Sequence, residues 1–151
     1  MMAGKTMTAS LAGFRISSVN KMRAILKQSV HDVVNIAQTP KGHGGDMPVL
    51  DGYLINSLVS TLNDTIGSSD GKPDKSGAGS NASVELTISE MELGDQAIFA
   101  YTAAHGPRQE FGFSGQDSLG RTYNQPGNHF VGNATDQWVK IVEGNAKKVS
   151  G

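Results

Sequence analysis

The chain has 151 residues, which is close to the commonest domain size, and its formal net charge is −1. Hydrophobic residues make up 37% of the chain and charged residues 18%, while glycine occupies 19 positions. The absence of cysteine excludes disulfide bridges, thiolate nucleophiles and thiolate metal sites. We therefore predict a single domain over residues 1–151, with a modest core and long loops.

The first forty residues predict one long helix. Residues 1–14 contain no long apolar run, so we predict neither a signal peptide nor a membrane span there and expect a flexible arm. From Ile16 to Gln38 apolar side chains recur at steps of three and four residues: Val19, Met22, Leu26, Val30 and Val33. Ser17 or Ser18 is the predicted cap. Pro40 ends the helix because the residue before a proline is disfavoured in helical geometry.

The middle of the chain predicts strands and a mobile loop. Residues 53–62 combine leucines at helical spacing with β-branched residues, which indicates a short helical turn leading into a strand. Residues 67–83 contain no large apolar side chain, so we expect a mobile loop or a hairpin extension. Residues 84–88 alternate apolar and polar side chains, as in a half-buried strand. Residues 97–104 suit either a strand or a short helix.

The end of the chain predicts turns and then a final helix. Gly, Pro, Asn and Gln punctuate residues 106–128. A helix is predicted from His129 or Phe130 to Asn145, followed by a tail over 145–151. Its apolar face consists of Phe130, Ala134, Trp138, Ile141 and Val142. The predicted fold class is α+β: a long N-terminal helix and a C-terminal helix packed on a small, mainly antiparallel sheet with a long flexible loop.

The small net charge hides an uneven distribution. Residues 1–45 carry six Lys or Arg against one acid, for +5, and residues 46–119 carry three against eleven, for −8. Residues 120–151 carry four against two, for +2. Separated patches of opposite sign suit a subunit that docks head to tail against copies of itself. An equally open interpretation is that exposed helices and loops simply differ in charge.

The sequence contains little that indicates catalysis. His105, Glu110 and His129 are the candidate metal ligands, but their spacing matches no helix-borne metal motif. Ser114 lacks the second glycine of a nucleophile elbow, and the basic residues of the first helix lack the interleaved aromatics of a nucleic-acid reader. We therefore predict no enzyme and no cofactor or metal. A small metal-dependent enzyme that uses the His–Glu–His set is the alternative.

Three short segments stand in an order that one protein family shares. Residues 48–58 follow a pattern of proline, a spacer, Thr-Gly, Leu, Asn and Ser, with Asp51 in place of the Thr. A tyrosine followed by Glu-Phe-Gly comes next, and Phe, an apolar residue, two further residues and Ala open the last helix. The matching residues are Gly52, Leu54, Asn56, Ser57, Tyr101, Glu110, Phe111, Gly112, Phe130 and Ala134. In these segments the chain resembles the neck or tail-completion proteins of long-tailed bacteriophages.

The resemblance implies a virion structural and morphogenesis protein. Its α+β subunit would form a ring, of about six copies, where the capsid joins the tail, in a tail-completion, tail-terminator or head–tail connector role. The implied partners are further copies of the chain and neighbouring neck or tail-tube proteins. DNA would pass through the ring only as cargo, and no membrane is involved. The resemblance also implies assembly in the host cytoplasm and a final location in the virion.

Each motif residue also has a structural interpretation, which the residues alone favour over a direct partner contact. Gly52 and Gly112 suit special backbone angles at turns, and Glu110 suits local capping. The core could contain the aromatic residues Phe111, Phe113, Phe130 and Trp138. For residues 67–83, an assembly arm and a passive loop are equally open. A monomeric ligand-binding module remains a further alternative function.

Overall fold

The computed structural model describes residues 7–66 and 72–150 and has the predicted α+β architecture. Along the chain, a long N-terminal helix comes first, the strands and short helices follow, and a C-terminal helix comes last. The elements are α1 (Met7–Ala37), β1 (Leu58–Leu62), α2 (Ala78–Glu90), β2 (Ala97–Tyr101), α3 (Gly106–Phe111), β3 (Gly112–Gln116), β4 (Thr122–Pro126), α4 (Phe130–Thr135) and α5 (Trp138–Ser150).

Helix α1 is longer than the sequence predicts. It begins at Met7 rather than Ile16, so the expected flexible arm over 1–14 is helical from residue 7, and the rest of that arm lies outside the described residues. Ser17 and Ser18 therefore lie inside the helix and do not cap it. The added residues include Met, Ala and Leu, whose helix propensity is high, and no proline interrupts them.

The end of α1 and the first sheet follow the prediction. Helix α1 stops at Ala37, shortly before Pro40. A 3-10 turn over Ile55–Ser57 leads directly into β1, as the mixed pattern of that segment indicates. The ambiguous residues 97–104 form strand β2 as far as Tyr101. Strands β1 and β2 pair antiparallel, with Leu58 opposite Tyr101.

The prediction is wrong for α2. The sequence predicts a mobile loop over 67–83 and a strand over 84–88, but residues 78–90 form one helix. The loop prediction is thus contradicted from residue 78 onward, and its portion over 67–71 lies outside the described residues. The chain between these points, residues 72–77, is a turn that leads into the helix.

The error in α2 has a physical cause. Its buried residues are Ser80, Val84 and Ile88, at steps of four, which is the spacing of one helix face. Leu86 is 61% exposed on the other side of the helix, so the period-2 spacing of Val84, Leu86 and Ile88 does not mark one face of a strand. Serine is a weak signal of burial, and with Ser80 unrecognised the helical stripe is too short to read from the sequence.

Alanine substitutions at Ile88 and Leu86 should distinguish a helix from a strand over this part of the chain. We expect Ile88→Ala to lower the free energy of unfolding by about 2–4 kcal/mol, because it opens a cavity in the core. The control Leu86→Ala, on the exposed side, should change it by less than about 0.5 kcal/mol. Urea unfolding followed by circular dichroism measures both. Equal losses at the two positions would contradict the helical register.

The turn-rich segment before α4 contains a hairpin that the sequence does not predict. Strands β3 and β4 pair antiparallel, with Gly112 opposite Pro126 and Gln116 opposite Thr122. Every residue of β4 is exposed, so the period-2 burial pattern by which strands are recognised is absent. The described residues thus contain two separate two-stranded sheets rather than one.

The predicted C-terminal helix is broken in two and extends further than expected. Helix α4 ends at Thr135, and α5 begins at Trp138 and runs to Ser150, so the predicted tail over 145–151 is helical through residue 150. Asn145 is buried against α1, where its amide donates to Ser29 Oγ at 3.1 Å and to the carboxylate of Asp32 at 2.9 Å. This polar contact ties the far end of α5 to α1.

The core consists of two clusters of buried side chains that share a neighbour. The first is Met47, Leu54, Ile55 and Phe130, and the second is Leu58, Val84, Ile88 and Met91. Tyr101 packs against both clusters, and residues of α1 cover the second. The described helices, α1 included, lack the sustained apolar run that a bilayer-spanning segment needs.

Candidate functional site

The first motif segment holds α2 in place. Gly52 has φ +95°, and a Cβ there would lie 2.4 Å from the backbone of Asp74 and Lys75, so only glycine allows the two chain segments to approach this closely. The amide oxygen of Asn56 accepts the N–H of Ser80 at 3.1 Å, in the first turn of α2. Asn56 thus caps a helix that lies more than twenty residues away in sequence.

The rest of this segment joins the core to β2. Leu54 is buried, and Ser57 is fully buried, with its hydroxyl donating to the carbonyl of Leu54 at 2.7 Å. The carbonyl of Ser57 accepts both the N–H and the hydroxyl of Thr102, at 3.1 and 2.9 Å. The hydroxyl and the carbonyl of Ser57 therefore both have hydrogen-bond partners, as buried polar groups require.

Glu110 caps α4. The side chain is buried, and its two carboxylate oxygens accept the N–H groups of Val131 and Gly132, each at 2.9 Å. These N–H groups lie in the first turn of α4, where no intrahelical acceptor is available and negative charge is favourable. The structural interpretation of Glu110 as a local cap is confirmed. The cap links the second motif segment to the third.

Tyr101 joins β2 to α4 directly and, through Gln38, to the turn at Ile55 and to α2. Its ring meets that of Phe130 edge to face, with centroids 5.0 Å apart, and its hydroxyl donates to Gln38 Oε1 at 2.8 Å. The amide nitrogen of Gln38 in turn donates to the carbonyl of Ile55 and to Asn81 Oδ1, each at 3.0 Å. Burial, aided by the negative charge of Glu110, raises the pKa of Tyr101. The neutral phenol is therefore the form that the network holds.

The remaining motif residues divide between core and surface. Phe130 is buried, as the core interpretation expects, and Ala134 is buried as well. Gly112 has φ +88° at the start of the hairpin. Phe111, the last residue of α3, is 75% exposed, so its assignment to the core is wrong. Trp138 is also partly exposed.

The side chains of the three candidate metal ligands do not converge on a common site. Both carboxylate oxygens of Glu110 are used by α4, and His129 contributes its backbone N–H to the Glu110 carbonyl at 3.1 Å. His105 is exposed just before α3. Across residues 7–66 and 72–150 no group of three or more His, Asp or Glu side chains is arranged to hold a metal ion. What Glu110 does in this geometry is structural.

Part of the opposed charge along the chain is paired within one copy. Arg23 of α1 lies 2.7 Å from Glu92, and His31 lies 2.6 Å from Glu85 on α2. The two contacts are between exposed or half-exposed side chains, so each adds little to stability. The basic residues 1–45 and the acidic residues 46–119 are therefore partly paired within one copy. Their opposite charges are thus weaker evidence for docking between copies. Arg15, farther toward the start of α1, enters no ion pair within the described part of the chain.

Two exposed apolar features remain. The helical arm, Met7–Ser17, is exposed at every residue and carries large side chains including Leu11 and Phe14. An apolar groove of about 420 Å³ lies beside the second half of α1, with walls from that helix, β2 and the α4–α5 junction. The sequence pattern could not reveal the groove, because its walls come from segments more than a hundred residues apart. The arm shares no residue with the motif contacts described above, whereas the groove wall includes Tyr101 and Val131.

No family model, no curated protein and no solved structure matches this chain. The function of the chain must therefore be inferred from the contacts among its own residues.

Proposed function

We propose that the chain is a ring-forming subunit of the neck of a long-tailed bacteriophage, which completes the tail or joins it to the head. The observation that carries the proposal is the interlocking of the three motif segments. The carbonyl of Ser57 accepts the N–H and hydroxyl of Thr102, directly after Tyr101. Tyr101 packs on Phe130, and Glu110 caps α4, so the three segments form one frame. Several residues that resemble the phage family, among them Ser57, Tyr101 and Glu110, therefore join distant parts of this fold.

The surface supports an assembly role rather than catalysis. The buried polar groups of the frame satisfy one another: within the described residues, no buried side-chain nitrogen or oxygen lacks a hydrogen-bond partner. Catalytic sites commonly hold titratable groups poised for a substrate, whereas each buried side-chain polar atom among the described residues already has a partner within the fold. In contrast, the exposed side chains of Leu11, Phe14 and Phe111 offer apolar contact area outside the frame.

In this role the chain acts by surface complementarity repeated around an axis. Its partners are further copies of itself and adjacent neck or tail-tube proteins, and DNA passes through the ring without being read. The subunit is made in the host cytoplasm and remains in the virion. The frame supplies a rigid body, so that each copy presents the same contact surfaces to its neighbours.

Mass measurement tests the proposal. Native mass spectrometry and sedimentation at low and high concentration should detect a closed oligomer of about six copies, either alone or on addition of purified tails or connectors. Electron microscopy should then place the ring at one end of the tail. A chain that stays monomeric at every concentration, and also fails to join tails and connectors, would sink the proposal.

A further inference from the structure

The helical arm presents an apolar face that nothing in its own copy covers within the described residues. Met7, Leu11 and Phe14 follow one another at steps of four and three, and their side chains are 80%, 61% and 72% exposed. At 3.6 residues per turn they share one side of α1. This spacing is the one by which amphipathic helices place anchors in a groove of another protein.

The groove has the complementary character. Its walls are almost entirely apolar and include Leu26, Val30, Val34, Phe99, Val131 and Trp138. Among the described residues that line it, Asp95 is the only charged one. The Asp95 carboxylate is oriented by the amide of Asn63 at 3.0 Å and by the N–H of Glu92 at 2.8 Å. The groove therefore combines apolar walls with one fixed negative charge.

The arm cannot fill the groove of its own copy. Leu26, Val30 and Val34 lie on α1 itself, and α1 runs from Met7 to Ala37 without a proline or a break. The arm continues away from this wall for about 16 Å, at 1.5 Å per residue. A helix bends only gently over such a length, so the arm cannot turn back onto the wall. An arm that enters this groove must come from another molecule.

Charge favours a second copy as that molecule. Residues 7–31 of α1 contain Arg15, Lys21, Arg23 and Lys27 and no acidic residue. Arg15 directly follows Phe14 and has no ion-pair partner among the described residues, whereas the groove offers Asp95 and no basic side chain. Opposite charges at the rim of an apolar contact set its register. The arm and the groove are thus matched in both polarity and charge.

We propose that the helical arm of each copy docks in the apolar groove of the next, with Leu11 and Phe14 as anchors and Arg15 facing Asp95. The proposal deepens the proposed function, on which it rests, by naming the contact between neighbouring subunits. The two surfaces of this contact differ, so it is head to tail, and it closes into a ring when the rotation between copies permits. In such a ring every arm and every groove is occupied.

Mixed single-cysteine chains test the contact directly, since the chain contains no cysteine of its own. One chain carries Phe14→Cys and the other carries Thr135→Cys at the groove wall. Under mild oxidation the mixture should give a disulfide-linked heterodimer. The matched control is Ile16→Cys, which is similarly exposed but lies about 200° around the helix from position 14, and it should cross-link poorly.

Assembly itself provides the second measurement. Phe14→Ser should weaken self-association at least about tenfold, whereas Ile16→Ser should change it by less than about threefold. Circular dichroism should find the helix content of both variants unchanged. A ring that forms without the cross-link and ignores Phe14→Ser overturns the docking proposal and leaves the ring standing. A cross-linked closed dimer supports arm docking but overturns the ring. A cross-link only to an added neck protein would mean that the occupant is not a second copy, and the docking proposal fails.

Discussion

Replacing Glu110 with alanine is expected to lower the free energy of unfolding by about 3 kcal/mol. The substitution removes a charged acceptor from the N–H groups of Val131 and Gly132, and hydrogen bonds to charged groups are worth about 1.5–3 kcal/mol each. The site is buried, so water cannot readily replace the carboxylate. Helix α4 has only six residues, and it also loses the negative charge at its N-terminus.

Two controls separate the cap from a general charge effect. Glu110→Gln keeps one acceptor oxygen of the same shape but loses the charge, so we expect roughly half of the loss. Glu143→Ala removes an exposed carboxylate from α5 and should change stability by less than about 0.5 kcal/mol. Urea unfolding at neutral pH measures all three variants. A Glu110→Ala protein as stable as the Glu143 control would show that the cap contributes nothing.

The sequence predicts those parts of the fold in which the apolar pattern is long and regular. The central part of α1 and its end before Pro40 follow from apolar residues at helical spacing and from the geometry that proline imposes. The turn into β1 follows in the same way, because leucines at helical spacing give way to β-branched residues. Local chemistry suffices in these segments.

The sequence fails where burial depends on partners far along the chain. Ser80 is buried because it packs in the first turn of α2 beside Asn56, and nothing local marks it as part of a core. The exposed strand β4 is held by pairing with β3 rather than by an apolar face. Gln38 is the clearest omission, since its buried amide joins Tyr101, Ile55 and Asn81, and no motif draws attention to it.

Apart from Gln38, the residues of the candidate site could be predicted from the sequence, but their contacts could not. Capping by Glu110 and turn geometry at Gly52 and Gly112 are expected from their chemistry, and the structure confirms them. Which helix Glu110 caps depends on the path of the chain through the hairpin and cannot be read from spacing. Phe111 ends α3 with its side chain exposed, which its aromatic character alone does not predict.

Substituting Gly112 is expected to have the largest effect on the fold. Its φ of +88° and ψ of 175° lie in a region that is essentially restricted to glycine. A Cβ at this position would also lie 2.5 Å from the carbonyl oxygen of Gln125 and 2.7 Å from the nitrogen of Gly127, and both are backbone atoms that cannot rotate away. We expect Gly112→Ala to lower the free energy of unfolding by at least about 3 kcal/mol, because backbone strain and a clash add.

The matched control for this prediction is Gly120→Ala in the turn of the same hairpin. Gly120 also has a positive φ, +78°, but no atom lies within 4 Å of its added Cβ, so this variant carries the backbone strain without the clash. It should lose about 1 kcal/mol. Thermal and urea unfolding of the two variants measure the difference, which reports how closely β4 and the following residues pack on the start of β3. Similar losses of stability at both positions would contradict that close approach. A Gly112→Ala chain that cannot be recovered in a folded state would be the strongest form of the predicted effect.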